Sequence, residues 1–290
     1  MSKWYRFFLV IPLLLLTSPG AAKAADVSVG VWRTEGSLLW RTVFPLHTHR
    51  IDGASELYYP QSGNYIVASY EKPLSLKRSL FIEGGILADA TSNIGSDSDW
   101  DTSRSPALWY YGQFKTKAKN YFITVDLKRR ATPNTSFFYG YTYNTNYNSM
   151  TDGLYTIRDY TAVHTPLPNL NSYYTMSYQG PHVGVIHTIP LTNKITAIGS
   201  LSYSPYGLAQ GYGWWNLRDL EFHHTGTAQM LDTKIGLRFA LTPKDSSITL
   251  GYRYQSFRLL KGREDLSPDI SWTVANHIQK GYYFAAEMKF

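Results

Sequence analysis

The last ten residues, GYYFAAEMKF (281–290), alternate. Read back from Phe290 in steps of two they give Met288, Ala286, Phe284 and Tyr282; the other parity gives Lys289, Glu287, Ala285 and Tyr283. Successive side chains of a β-strand point to opposite faces, so this is a strand with one apolar face. Stretches rich in Tyr, Phe, Val, Ile and Thr recur along the chain with turn residues between them. They fall near 27–41, 54–71, 78–92, 107–118, 121–130 with 135–148, 173–187, 194–208, 225–241, 246–258 and 275–290. If 107–130 is one long strand, the count is ten. The links EKPLSLKR (71–78), ATPN (131–134), IPLTNK (189–194) and TPKDSS (242–247) are short. They alternate with longer ones at 42–53, 93–106, 149–172, 209–224 and 259–274. No repeat, linker or second domain interrupts this pattern.

The chain starts with Lys3 and Arg6, then an apolar run from Phe7 to Leu16, then Ala22-Lys23-Ala24. That order is the one expected of a cleaved secretory signal over 1–24, leaving 25–290 as the folded part. The run is about half of what a spanning helix needs. Without Lys3, Arg6 and Lys23 the net charge falls from +7 to +4, and no basic run speaks for nucleic acid. There is no cysteine, so no disulfide can help hold an exported fold together. Aromatic residues make up 16%, with 24 tyrosines, while no later segment is apolar enough for a membrane helix. A transmembrane β-barrel in a bacterial outer membrane meets all of these constraints, because its strands alternate lipid-facing and lumen-facing residues. A soluble β-sandwich is the alternative. The terminal Phe290 resembles the closing-strand signal of outer-membrane barrels, and with the leader it favours the barrel.

Within the second long link lies GSDSDWD (95–101). Asp97 and Asp99 share a parity and would project to the same side of a strand end. Two close carboxylates can share a proton and hold a water for attack on a carbonyl. The same letters also suit an Asx-type turn with solvated charges. A calcium loop would need a Gly and a distal Glu that are missing.

The segments DVSVGVWRTEGSLLW (26–40), ASELYY (54–59), GSDSDWD, FFYGYTYN (137–144), GPHVGV (180–185), GSLSYS (199–204) and the terminal strand resemble, in order, the omptins. The resemblance covers nearly the whole part after the leader. It implies a single ten-stranded antiparallel outer-membrane barrel with a protease groove at its outer rim. There an aspartate pair faces an Asp–His pair across a water, and lipopolysaccharide is required. Asp97 and Asp99, followed by Trp100, match the aspartate pair.

For the other half, the family carries D-x-H in its fourth long loop, where this chain reads YGWWNLRDLEFHHTGT (212–227). One alignment makes Glu221-Phe222-His223 an E-x-H version, with His223 as base and Glu221 orienting it. A second, preferred because Leu220 and Phe222 alternate into the next strand, puts the D-x-H position near Gly213 to Trp215 and leaves no catalytic pair. TSRSPALWYY (102–111) replaces a longer family segment and carries Arg104 where the family has a substrate-binding aspartate. The family's lipopolysaccharide pattern falls on Tyr141, Tyr143 and Thr145, where only the first residue is kept.

HTH (47–49) is a two-His fragment without a third ligand at a convincing spacing, so no metal and no cofactor is expected. Ser103 and Ser105 lack a nucleophile-elbow context. WW (214–215), WYY (109–111) and YYF (282–284) fit interfacial girdles. The expected function is a non-catalytic omptin-like surface, envelope or ligand-binding barrel. Its expected partners are outer-membrane lipid, including lipopolysaccharide, and a peptide or surface ligand. The alternatives are an omptin-type endopeptidase using Asp97, Asp99, Glu221 and His223, and a narrow pore.

Overall fold

The computed structural model describes residues 25–47, 51–105, 107–241 and 246–290; the leader expected at 1–24 and His49 lie outside them. Twelve strand segments form one sheet: β1 (Asp26–Pro45), β2 (Ile51–Pro73), β3 (Arg78–Ala90), β4 (Asn93–Asp101), β5 (Leu108–Thr116), β6 (Ala118–Arg130), β7 (Thr135–Arg158), β8 (Thr161–Pro190), β9 (Ile195–Trp215), β10 (Leu220–Ala240), β11 (Ser246–Glu264) and β12 (Ser271–Lys289). Every pairing is antiparallel, and β1 pairs with both β2 and β12, so the sheet closes on itself. Closure leaves no free edge around the ring and lets each backbone group find a partner on a neighbouring strand.

The twelve segments make ten staves. Residues 53–58 of β2 pair with β4, and residues 63–73 pair with β3, so β3 and β4 are successive parts of one stave. In the same way β5 and β6 run along one side of β7. The stretch 108–130 is therefore a single stave, interrupted at Lys117, as the count of ten requires.

The long links at the end remote from the chain termini are a different matter. Most of 42–53, 93–106, 149–172, 209–224 and 259–274 is strand, and the turns left there are short. GSDSDWD is part of β4 rather than a loop. β8 alone runs for 30 residues, about three times what crosses a hydrocarbon layer.

The outer wall explains the excess. Near the termini its outward residues are apolar, among them Val29, Val31, Ile66, Tyr139, Val183 and Ile235. Farther along the same outer face Arg33, Glu35, Asp89 and Lys280 point out. An apolar belt of limited height with charges beyond it is the profile of a wall that crosses a bilayer and then projects into water.

Side chains fill the middle of the lumen in layers. Toward the termini is a cavity of about 240 Å³, lined by charged groups that include Glu83, Asp126, Asp232, Lys234 and Arg253. Arg253 closes it from above: its guanidinium lies 4.9 Å from the Trp32 ring and 4.6 Å from Phe122, and pairs with Asp232 (2.6 Å) and Glu83 (2.8 Å). Next comes a belt of amides. Gln61 donates to Asn148 (2.8 Å) and accepts from Asn120 (2.9 Å) and Gln279 (2.7 Å). Beyond it the distal half is packed by Leu38, Tyr59, Met176, Tyr178, Phe257 and their neighbours.

Candidate functional site

β4 carries its carboxylates inward at the distal end. Asp97 is the register partner of Leu57 and Gly112, and Asp99 of Ser55 and Tyr110. Leu57 belongs to the distal core, which fixes the inward parity. Gly95 fits where it does because a Cβ there would meet the Phe114 ring. Burial, and for Asp97 also the charge of Asp99, raises both carboxyls above the usual carboxylate range. Ser55 donates to Asp99 and works against the rise. Arg218, in the turn between β9 and β10, opposes it at both positions. Tyr155 of β7 faces the same group: burial, then Asp97 and Asp99, push its hydroxyl up to about 12. The arrangement is an acidic pair raised by burial, with Tyr155 and the charge of Arg218 acting on it.

Glu221 and His223 lie elsewhere. Phe222 packs against the distal core and His224 is fully buried, so the odd residues of this part of β10 point outward. The side chains of His223 and Glu221 are 41% and 55% exposed and approach to 3.4 Å. Tyr212 on β9 donates to Glu221 (3.2 Å), and its ring lies 4.9 Å from the His223 ring. The structure thus brings Glu221 to His223 and Asp97 to Asp99, on opposite faces of the wall.

The β10 histidine on the inner face is His224. Its Nε2 is 3.0 Å from Glu264 Oε2, and its Nδ1 meets Trp40 Nε1 (3.4 Å) and Tyr174 Oη (3.3 Å). Burial alone would raise Glu264, but His224 and the backbone N–H groups of His223 and Leu266 outweigh it and hold the carboxyl below its ordinary range. Between this pair and the aspartates stand Tyr174 and Tyr59, stacked with centroids 6.5 Å apart. Nothing in the sequence alone marks His224 and Glu264 as a buried pair. For the face of His224 the parity of Phe222 was the available signal, since a core residue at 222 puts 224 on the same face.

Of the remaining candidates, His47 reaches Asp101 (3.0 Å), and Ser103 donates to Asp101 (2.5 Å). Tyr141 is exposed on the outer wall and donates to Gln179 (3.2 Å). The pairs expected in girdles split by parity: Tyr282 and Phe284 face out, whereas Trp215 is buried in the distal core.

Among solved structures, the outer-membrane protease OmpT from Escherichia coli aligns with a TM-score of 0.73 at 11% identity, over 94% of this chain and 98% of that one. The chain has the fold of an outer-membrane β-barrel. Neisserial surface protein A (TM-score 0.34, 11% identity, 92% and 99% covered) and the translocator domain of the autotransporter NalP from Neisseria meningitidis (0.37, 10%, 99% and 95%) overlap this barrel far less well. No family model and no curated protein matches the sequence. At 11% identity the likeness to OmpT is one of fold.

Proposed function

We propose that this barrel is an integral protein of the bacterial outer membrane, exported by its leader, that binds a ligand at its distal, outward end without cleaving it. One observation carries the reading: Asp97 and Asp99 face inward while Glu221 and His223 face outward, so no imidazole of the E-x-H pair can share a water with the aspartates. Among the described residues the cation whose charge acts on the aspartates is Arg218, and a fixed positive charge there favours holding a polar ligand over activating water. Outer-leaflet lipid, including lipopolysaccharide, is the natural surround of the apolar belt. The layered filling of the lumen argues against a pore.

A second reading, an endopeptidase, draws on the His224–Glu264 pair, which shares the inner face with the aspartates. Cleavage of a broad peptide library by the barrel refolded in lipopolysaccharide separates the two. The binding reading expects no cleavage by folded protein. Cleavage that disappears in Asp97→Asn/Asp99→Asn establishes the protease instead.

A further inference from the structure

His47 of the HTH fragment finds partners in the fold that the sequence did not offer. His47, two residues beyond the distal end of β1, lies beside Asp52 at the start of β2 and Asp101 at the end of β4. Their ligand atoms are all within 4.8 Å of one another. Asp101 is completely buried and Asp52 is 9% exposed, whereas His47 is reachable from outside. We propose that His47, Asp52 and Asp101 form a site for a divalent transition-metal ion that ties the segment following β1 and the start of β2 to the end of β4.

The donor set is one imidazole nitrogen and two carboxylates, which suits borderline ions such as zinc, cobalt or nickel better than calcium. The charges leave room for it. Against two carboxylates stands one guanidinium within ion-pair reach among the described residues, Arg104, whose Nε is 3.3 Å from Asp101 Oδ2 and whose side chain is 60% exposed. Every other contact of the carboxylates is an uncharged donor or the imidazole itself. Asp101 Oδ1 accepts from Ser103 N (3.0 Å) and Oγ (2.5 Å). Oδ2 accepts from Tyr160 Oη (2.7 Å) and contacts His47 Nε2 (3.0 Å). Asp52 Oδ1 accepts from the amides of Leu46 (2.7 Å) and His47 (3.2 Å). A metal would therefore keep the Ser103 bonds, which orient Asp101 as outer-shell partners do. It would displace Arg104, which retains its place over the Tyr160 ring (5.0 Å).

This displacement makes the site testable. The full barrel is refolded in detergent free of lipopolysaccharide, which itself binds divalent ions, and titrated with zinc chloride by calorimetry. Cobalt chloride then reports coordination by its visible spectrum. The expected result is one saturable site per barrel, lost in His47→Ala and unaffected by magnesium. In Arg104→Gln the affinity should rise on the order of tenfold, because a positive charge several ångströms from the ion is gone. A spectrum showing nitrogen ligation that vanishes in His47→Ala supports the site even if Asp101→Asn fails to fold. Absence of saturable binding, or binding unchanged in His47→Ala, overturns it and leaves His47–Asp101 a hydrogen-bonded clasp.

Discussion

His182 of β8 and Asp126 of β6 meet across a strand that puts no side chain between them. Their Nε2 and Oδ1 are 2.7 Å apart, although β7 runs between the two strands. The β7 residue in register with both is Gly140. A Cβ at 140 would run into Asp126 Oδ1 and the β6 backbone, so only glycine lets the pair close. Gly140→Ala should therefore destabilise the folded barrel by about 2 kcal/mol, the usual cost of forcing a group into a packed site. His182→Ala should cost about 3 kcal/mol, because it leaves a buried carboxylate without its partner. Urea unfolding followed by gel mobility measures both, and a neutral Gly140→Ala would mean that the pair does not depend on this gap.

Arg253 tests whether the lumen is a closed structure or a gated one. Removing it in Arg253→Ala strips Glu83 and Asp232 of their shared cation and should cost about 3 kcal/mol. The amide belt and the distal aromatic layer remain, so bilayer conductance should stay at background in both the variant and the parent. Ion flow through the parent protein would revive the pore.

The acidic pair carries a pH signature. Since burial and Asp99 raise Asp97 above its ordinary carboxylate value, the folded state holds this proton more tightly than the unfolded chain does. A raised carboxyl contributes stability that is fully present below its unfolded value, near 3.8, and is lost as pH rises from there through the folded value. Asp97→Asn, which cannot ionise, should thus be the more stable protein at pH 8 and match the parent near pH 3.5. Denaturant midpoints at the two pH values decide it. A variant that is less stable at pH 8 would show that the ionised carboxylate is well solvated.

The period-2 pattern was legible wherever one face of a strand meets apolar surroundings. Phe284 and Met288 face out while Glu287 faces in, and the closing strand pairs with β1 as its alternation implies. The signal fades above the belt because both faces of the wall are then polar or aromatic. GSDSDWD has Ser96 and Ser98 on one face and Asp97 and Asp99 on the other, a sequence that looks like a turn although the β2 and β5 ladders hold it as a strand. The layered lumen was not readable at all, because Gln61, Asn148 and Gln279 come together only when distant staves close the ring.

Parity also separates two adjacent histidines. His223 is on the outer wall, with Glu221 and Tyr212 as solvent-facing neighbours, whereas His224 is enclosed by Trp40, Phe222, Tyr174 and Trp272 and contacts Glu264. His223→Ala should change stability by no more than about 0.5 kcal/mol, the range of an ordinary surface substitution. His224→Ala leaves a cavity among aromatic rings and a buried carboxylate short of a partner, and should cost about 3 kcal/mol. His224→Gln, which keeps a polar atom near Glu264, should recover part of that loss. Unfolding curves for the three variants also bear on function, because they fix which histidine faces the interior. If His223→Ala proved the costly change, the strand would be shifted by one residue. His223 would then face inward with the aspartates, and the E-x-H protease would again be the better reading.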